Sequence, residues 1–224
     1  AFINSLHWRK ENSIKERVVD YINKYDCKYN GTFEEFWDTI ILLSIRPKHP
    51  FNAKRTFKTL YSIRMPDRDA IFIPLFNRIY SNDTSSISRL IDWAMLDEDK
   101  ELISDDVIEC AAIMLSWFLC TPNRNLRDCC TKAIINLLTY RSKLIINLLS
   151  MFKDIDDPYI KERLYAIAYG CAVRETNLEN LKQLSLFVYD NIFNKDEVYP
   201  HILLRDYARN IIEYTIYNGV ELNI

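Results

Sequence analysis

Glycine occupies only three of the 224 positions, Gly31, Gly170 and Gly219, and proline only seven. Tight hairpins draw on glycine for backbone with positive φ, so a chain this poor in it cannot close many of them. What remains is a set of long helices joined by short polar loops. With 49% apolar residues such helices can bury a substantial core.

The helix starts are marked by capping residues. Thr32 with Glu35 reads as a capping box before "FEEFWDTIILLSI", which Pro47 stops, and Thr176 with Glu179 repeats the device before "LENLKQLSLFVYDNIF". Ser104, followed by Asp105 and Asp106, sets a cap and two acids at the positive end of "VIECAAIMLSWFL". Asp157 caps a helix that begins with Pro158, and Gly219 closes the last one. The pattern predicts helices at 13–26, 33–45, 52–64, 67–81, 86–96, 105–119, 123–139, 142–152, 158–173, 177–193 and 201–218. The nearest approach to a strand is "AIFIPLF" at 70–76, and its proline argues against a central one. The expected fold class is all-α.

An internal echo refines this. Leu126-Arg127-Asp128, Ile160-Lys161-Glu162 and Leu204-Arg205-Asp206 share the order apolar, base, acid, and their starts lie 34 and 44 residues apart, which are helical-repeat spacings. Each triplet leads an apolar stripe at offsets 0, +4, +7 and +11: Leu126, Cys130, Ala133, Leu137; Ile160, Leu164, Ile167, Cys171; Leu204, Ala208, Ile211, Thr215. Those offsets keep one helix face turned to a core. A unit of two helices cannot bury its face alone, so the expected architecture is an α-solenoid of stacked antiparallel helix pairs, of the HEAT or armadillo kind. Residues 101–224 carry the repeats. Residues 1–100 read as irregular repeats or a helical subdomain, most simply part of one continuous solenoid. Because the first residue is Ala1, the chain is expected to be a fragment of a longer protein, processing of an initiator methionine being the alternative. Arg127, Asp128, Lys161, Glu162, Arg205 and Asp206 fall at the edge of the buried stripe and are expected to form a structural ladder of contacts between repeats.

No residue is expected to be catalytic, cofactor-binding or metal-binding. Three scattered glycines cannot supply a phosphate-cradling loop or a dinucleotide fingerprint. His7, His49 and His201 stand in no hydrolase or zinc context. Cys129-Cys130 reads as packing, since Cys130 lies on a core stripe, and the six cysteines together read as reduced core residues of a cytoplasmic protein. "DEDKE" at 97–101, with its Glu98-Asp99-Lys100 fragment, reads as a charged loop and not a nuclease site. Twenty-nine basic against 31 acidic side chains give no global field toward nucleic acid or membrane. The basic stretch "RPKHPFNAKR" at 46–55 and the set Arg124, Arg127, Lys132, Arg141 and Lys143 are the local candidates for a nucleic-acid surface, both diluted by acids. The longest apolar run, "AAIMLSWFLC" at 111–120, falls short of the roughly 20 residues a membrane span needs. Tyr189, Tyr199 and Tyr217 are candidates for the edge of a partner surface.

Four words in order, "MPDRDAIFIPLF" with "ISRLIDWA", "NRNLRDCCTKAIINLL", "DDPYIKERLYAIAYGCAV" and "PHILLRDYARNIIEY", resemble the helical-repeat region of large bacterial STAND-type, NACHT-like ATP-binding proteins associated with antiviral defence. The resemblance spans about 65–215. Where that family often has a tryptophan after "RDA", this chain has Phe72. The resemblance implies a non-catalytic sensor or scaffold portion, its nucleotide-binding module outside this segment, with a protein partner of phage origin among those it would suit. The expected function is thus an interaction or sensor module without enzymatic activity of its own, the alternative being a helical-repeat nucleic-acid-binding module.

Overall fold

The computed structural model describes residues 2–15, 33–96, 100 and 102–223. Among them every regular element is helical and no strand occurs. A single turn, α1 (Phe2–Ser5), precedes α2 (Phe33–Ser44), α3 (Ala53–Tyr61), α4 (Met65–Tyr80), α5 (Ser86–Met95), α6 (Asp105–Trp117), α7 (Arg124–Leu138), α8 (Ser142–Phe152), α9 (Pro158–Ala172), α10 (Leu178–Ile192) and α11 (Ile202–Tyr217). Most of the expected helix at 13–26, together with Thr32, Cys27, Gly31, Glu98 and Asp99, lies outside the described residues. No described helix is long and apolar enough to cross a membrane.

Alternate helices lie side by side. α5 packs on α7, α7 on α9 and α9 on α11, while α6 packs on α8 and α8 on α10; α3 departs from the alternation and packs on α6. The two rows meet through α6 with α7, α8 with α9 and α10 with α11. Between them lies the core, and each position of the three sequence stripes, from Leu126 to Thr215, is at most 2% exposed. α2 covers the start of the rows, touching α3, α4, α5 and α6.

Several local readings change in the structure. The apolar run at 70–76 is helical, inside α4, with Pro74 at an interior position. A proline there leaves the carbonyl four residues back without its usual donor. Both Ala70 and Pro74 face solvent, so water can serve that carbonyl, while Phe72, Leu75 and Phe76 on the opposite face are buried. α10 is capped by Asn177, whose side chain accepts from the amides of Glu179 and Asn180, and not by Thr176. Glu175 displaces the expected capping box: its carboxylate accepts from the Thr176 and Asn177 amides, from Asn180 and from Ser142 at the start of α8. Ser104 stands at the start of α6 without a side-chain capping bond. Asp157 caps α9, and Gly219 follows α11 with φ of 82°.

Candidate functional site

The most concentrated polar chemistry lies where α4 begins, against the end of α6 and the start of α9. Arg68 occupies the buried face of α4 with Phe72, Leu75, Phe76 and Ile79, and is 1% exposed. An unpaired guanidinium in that setting would cost several kcal/mol. Its partners come from far along the chain. Nη2 donates to Asp156 Oδ1 at 2.8 Å and stands 3.7 Å from Asp157 Oδ2, Nη1 donates to the Ile63 carbonyl at 3.1 Å, and the guanidinium lies 5.3 Å from the Trp117 ring centroid.

Asp156 and Asp157 are consecutive, yet they cap different helices. Asp157 Oδ1 accepts from the Tyr159 and Ile160 amides of α9. Asp156 Oδ2 accepts from the Met65 amide at 2.6 Å, a first-turn donor of α4 that has no partner within its own helix. One dipeptide therefore caps two helix starts, the Met65 amide lying 91 residues before Asp156, with Arg68 between its carboxylates.

Asp69 and Cys120 complete the cluster. The nearest ligand atoms of Asp69, Cys120 and Asp157 lie within 4.8 Å of one another, the only described group that could gather around a cation. The balance of charge is instead met from within. The Cys120 thiol donates to the Trp117 carbonyl, and the Arg68 guanidinium supplies the positive charge beside Asp157. Burial, followed by the charge of Asp157, pushes the Asp69 carboxyl above its ordinary range, and Asp69 Oδ1 is buried without a hydrogen-bond partner. Burial raises Asp157 as well, against the Ile160 amide and Arg68, and pushes the Cys120 thiol far up. Burial acts upward on Asp156 too, but the Met65 amide and Arg68 outweigh it and hold that carboxyl low. With Asp156 and Asp157 held by backbone amides and Arg68, and the Cys120 thiol neutral, the cluster has the chemistry of a structural knot.

The sequence ladder residues lie elsewhere. Asp128 on α7 reaches Arg163 of α9 at 3.1 Å, and Arg127 lies 5.6 Å from the Tyr159 ring of α9. One step on, Glu162 on α9 meets His201 at the start of α11 at 3.5 Å, and Lys161 lies 5.2 Å from the Tyr199 ring. The third triplet departs from this pattern. Asp206 pairs with Arg209 and Asn210 inside its own helix, and Arg205 has no partner among the described residues. The reason is positional, for no described helix packs beyond α11 for them to reach.

Of the candidate nucleic-acid cations, Lys54, Arg124, Arg127 and Arg141 meet acids or carbonyls. Lys54 pairs with Glu109, Arg124 with Asp128, and Arg141 with Asp105 and the Lys100 carbonyl. Lys48, Lys54 and Lys58 line an open groove of about 790 Å³ beside α3. An apolar cavity of about 210 Å³ is lined by Trp37, Phe51, Ile63 and Phe72 among others, with Trp37 and Phe72 edge to face at 4.9 Å. The five described cysteines are free. Tyr189 and Tyr199 are partly buried against the core, whereas Tyr217 is 87% exposed.

Reading by motif missed the knot because its members are spread over three parts of the sequence. A signal was present. Arg68 stands at the head of the apolar stripe Phe72, Leu75, Ile79, where a charge must find a buried partner. No protein-family model, curated protein or solved structure matches this chain.

Proposed function

We propose that this chain is an α-solenoid interaction module, a HEAT- or armadillo-like stack that binds a protein partner or relays its recognition within a larger bacterial NTPase-type protein. The observation that carries the reading is the packing of alternate helices in two rows, the pairing from which repeat arrays build a long surface of separately variable units. Its polar chemistry serves joints between helices: the Arg68 knot ties α4 to α9, and Glu175 ties α8 to α10. The resemblance of four words to STAND-type repeat regions supports the same assignment and implies that any nucleotide chemistry would lie outside this segment. A protein partner is favoured over nucleic acid by the pairing of Lys54, Arg124 and Arg141 with acids, against exposed apolar side chains such as Ile202 at 73% and Tyr217 at 87%.

Two measurements test this. Fluorescence anisotropy with labelled DNA and RNA at about 50 and 200 mM salt should show no saturable binding, since phosphate recognition would appear as a steep salt dependence. Crosslinking in cells followed by reconstitution with the purified crosslinked protein should yield a stoichiometric complex. Tight, salt-steep nucleic-acid binding with no reconstituted protein complex would overturn the reading.

A further inference from the structure

Where the ends of α8 and α10 meet the starts of α9 and α11, the helices leave a pocket of about 220 Å³. Its floor is apolar. Phe152, Leu164 and Leu204 are at most 2% exposed there, and Leu149 and Ile192 are buried beside them. The charged groups around it are mostly of one sign, since Lys153, Lys161 and Lys195 line the pocket with a single acid, Asp154.

Those cations are poorly matched from within the protein. Lys195 meets no partner among the described residues, and Lys161 is set 5.2 Å from the Tyr199 ring. Lys153 stands 3.9 Å from Asp154 with both side chains more than half exposed, a pair that contributes little in water. Ammonium groups gathered around one cleft with apolar walls create a field that concentrates anions. A second group lacks a partner as well. Tyr165 lines the same pocket at 9% exposure, and its hydroxyl makes no hydrogen bond among the described residues. Burial pushes that hydroxyl above its ordinary range, so it keeps its proton and can donate. A buried donor without an acceptor is costly, and an acceptor entering the pocket would remove the cost.

We infer that this pocket binds a small organic phosphate, its apolar body on the floor formed with Phe152 and Leu164 and its phosphate held by Lys153, Lys161, Lys195 and the Tyr165 hydroxyl. A phosphate dianion answers an excess of three ammonium groups over one carboxylate, and lysine serves phosphate as a point charge without fixed geometry. The floor calls for a carbon body that inorganic phosphate lacks, and an apolar concavity with a few convergent polar groups is the pattern of a small-molecule site. The site stands apart from the reading of the chain as a protein-interaction module, which neither requires it nor falls with it.

The probe is 1-naphthyl phosphate, titrated calorimetrically into the whole chain, with inorganic phosphate and 1-naphthol as the two halves of its chemistry. The aryl phosphate should bind saturably, and each half should bind about tenfold or more weakly, since either lacks one set of contacts. Lys153→Ala combined with Lys195→Ala, both at exposed positions, should weaken the aryl phosphate about tenfold and leave 1-naphthol unchanged. Tyr165→Phe keeps the ring and removes only the hydroxyl, and should weaken the aryl phosphate about fivefold or more. Circular dichroism should show both variants folded like the parent. Absence of saturable binding, or binding indifferent to the lysine pair and to Tyr165→Phe, would overturn the site. Inorganic phosphate binding as tightly as the aryl phosphate would overturn the apolar body, and 1-naphthol binding as tightly would overturn the phosphate. Each of these results leaves the module reading to the reconstitution experiment above.

Discussion

Arg68 and Asp156, 88 residues apart in sequence, are joined by a 2.8 Å hydrogen-bonded ion pair in which the arginine side chain is 1% exposed and the aspartate 47%. The asymmetry sets the outcome of mutation. Arg68→Ala leaves Asp157, which is 2% exposed, without its countercharge and should cost about 3–5 kcal/mol in urea unfolding. Asp156→Asn keeps an acceptor for the Met65 amide and sits near water, so its cost should stay below about 1.5 kcal/mol. Equal losses would mean that the guanidinium is not buried as described.

Asp69 predicts a pH signature. Burial and the charge of Asp157 raise its carboxyl in the folded state, so folding binds that proton more tightly. Its contribution to stability is complete below the unfolded-state value and is lost as pH rises through the folded-state value. Asp69→Asn should therefore stabilise the protein at about pH 7, and the gain should shrink toward about pH 4, where the parent carboxyl is increasingly protonated. The low-held Asp156 works in the opposite direction but is common to both proteins. A gain of constant size across that range would rule out titration of Asp69 as the cause.

Gly170 sits inside α9, where alanine would ordinarily gain about 0.5–1 kcal/mol. An added Cβ there would meet Ile135 Cδ1 at 2.5 Å and Cγ1 at 3.1 Å. Gly170→Ala alone should thus be neutral or destabilising, whereas combination with Ile135→Val, which removes the nearest carbon, should recover at least about 0.5 kcal/mol of non-additive stability. Strict additivity in thermal denaturation would show that the two helices are further apart.

Asp128 and Arg205 separate a made contact from an unmade one. Asp128→Ala breaks the Arg163 and Arg124 pairs and should cost about 0.2–1 kcal/mol, the range of partly exposed ion pairs. Arg205→Ala should change stability by less than about 0.5 kcal/mol. A loss of several kcal/mol on Arg205→Ala would reveal a buried partner for it.

Thiol labelling reads the core directly. Burial pushes Cys171 up to about 12 and raises Cys110, Cys120 and Cys130, while Cys129 is only partly buried. In a Cys27→Ser background, a maleimide should modify Cys129 first and the other four only on unfolding, since reaction needs an accessible thiolate. Rapid native labelling of Cys130 or Cys171 would contradict their burial.

Local physics made the helices legible in the sequence. The stripe of Ile160, Leu164, Ile167 and Cys171 has a 3.6-residue period wherever it is read, and Asp157 starts its helix through bonds from the nearby Tyr159 and Ile160 amides, so neither needs a distant partner. The same reasoning misplaced the cap of α10, because Glu175 drew in the Thr176 amide with help from Ser142, a residue 33 positions away. It also left "AIFIPLF" ambiguous, since only packing shows which face of α4 can expose a proline. The knot and the reach of the ladder were decided by tertiary structure alone. Sequence spacing gives a side chain's direction around its own helix, but which group stands across the gap depends on how helices stack. So Arg68 finds Asp156 and Asp157, Asp128 finds Arg163, and Arg205 meets no partner among the described residues.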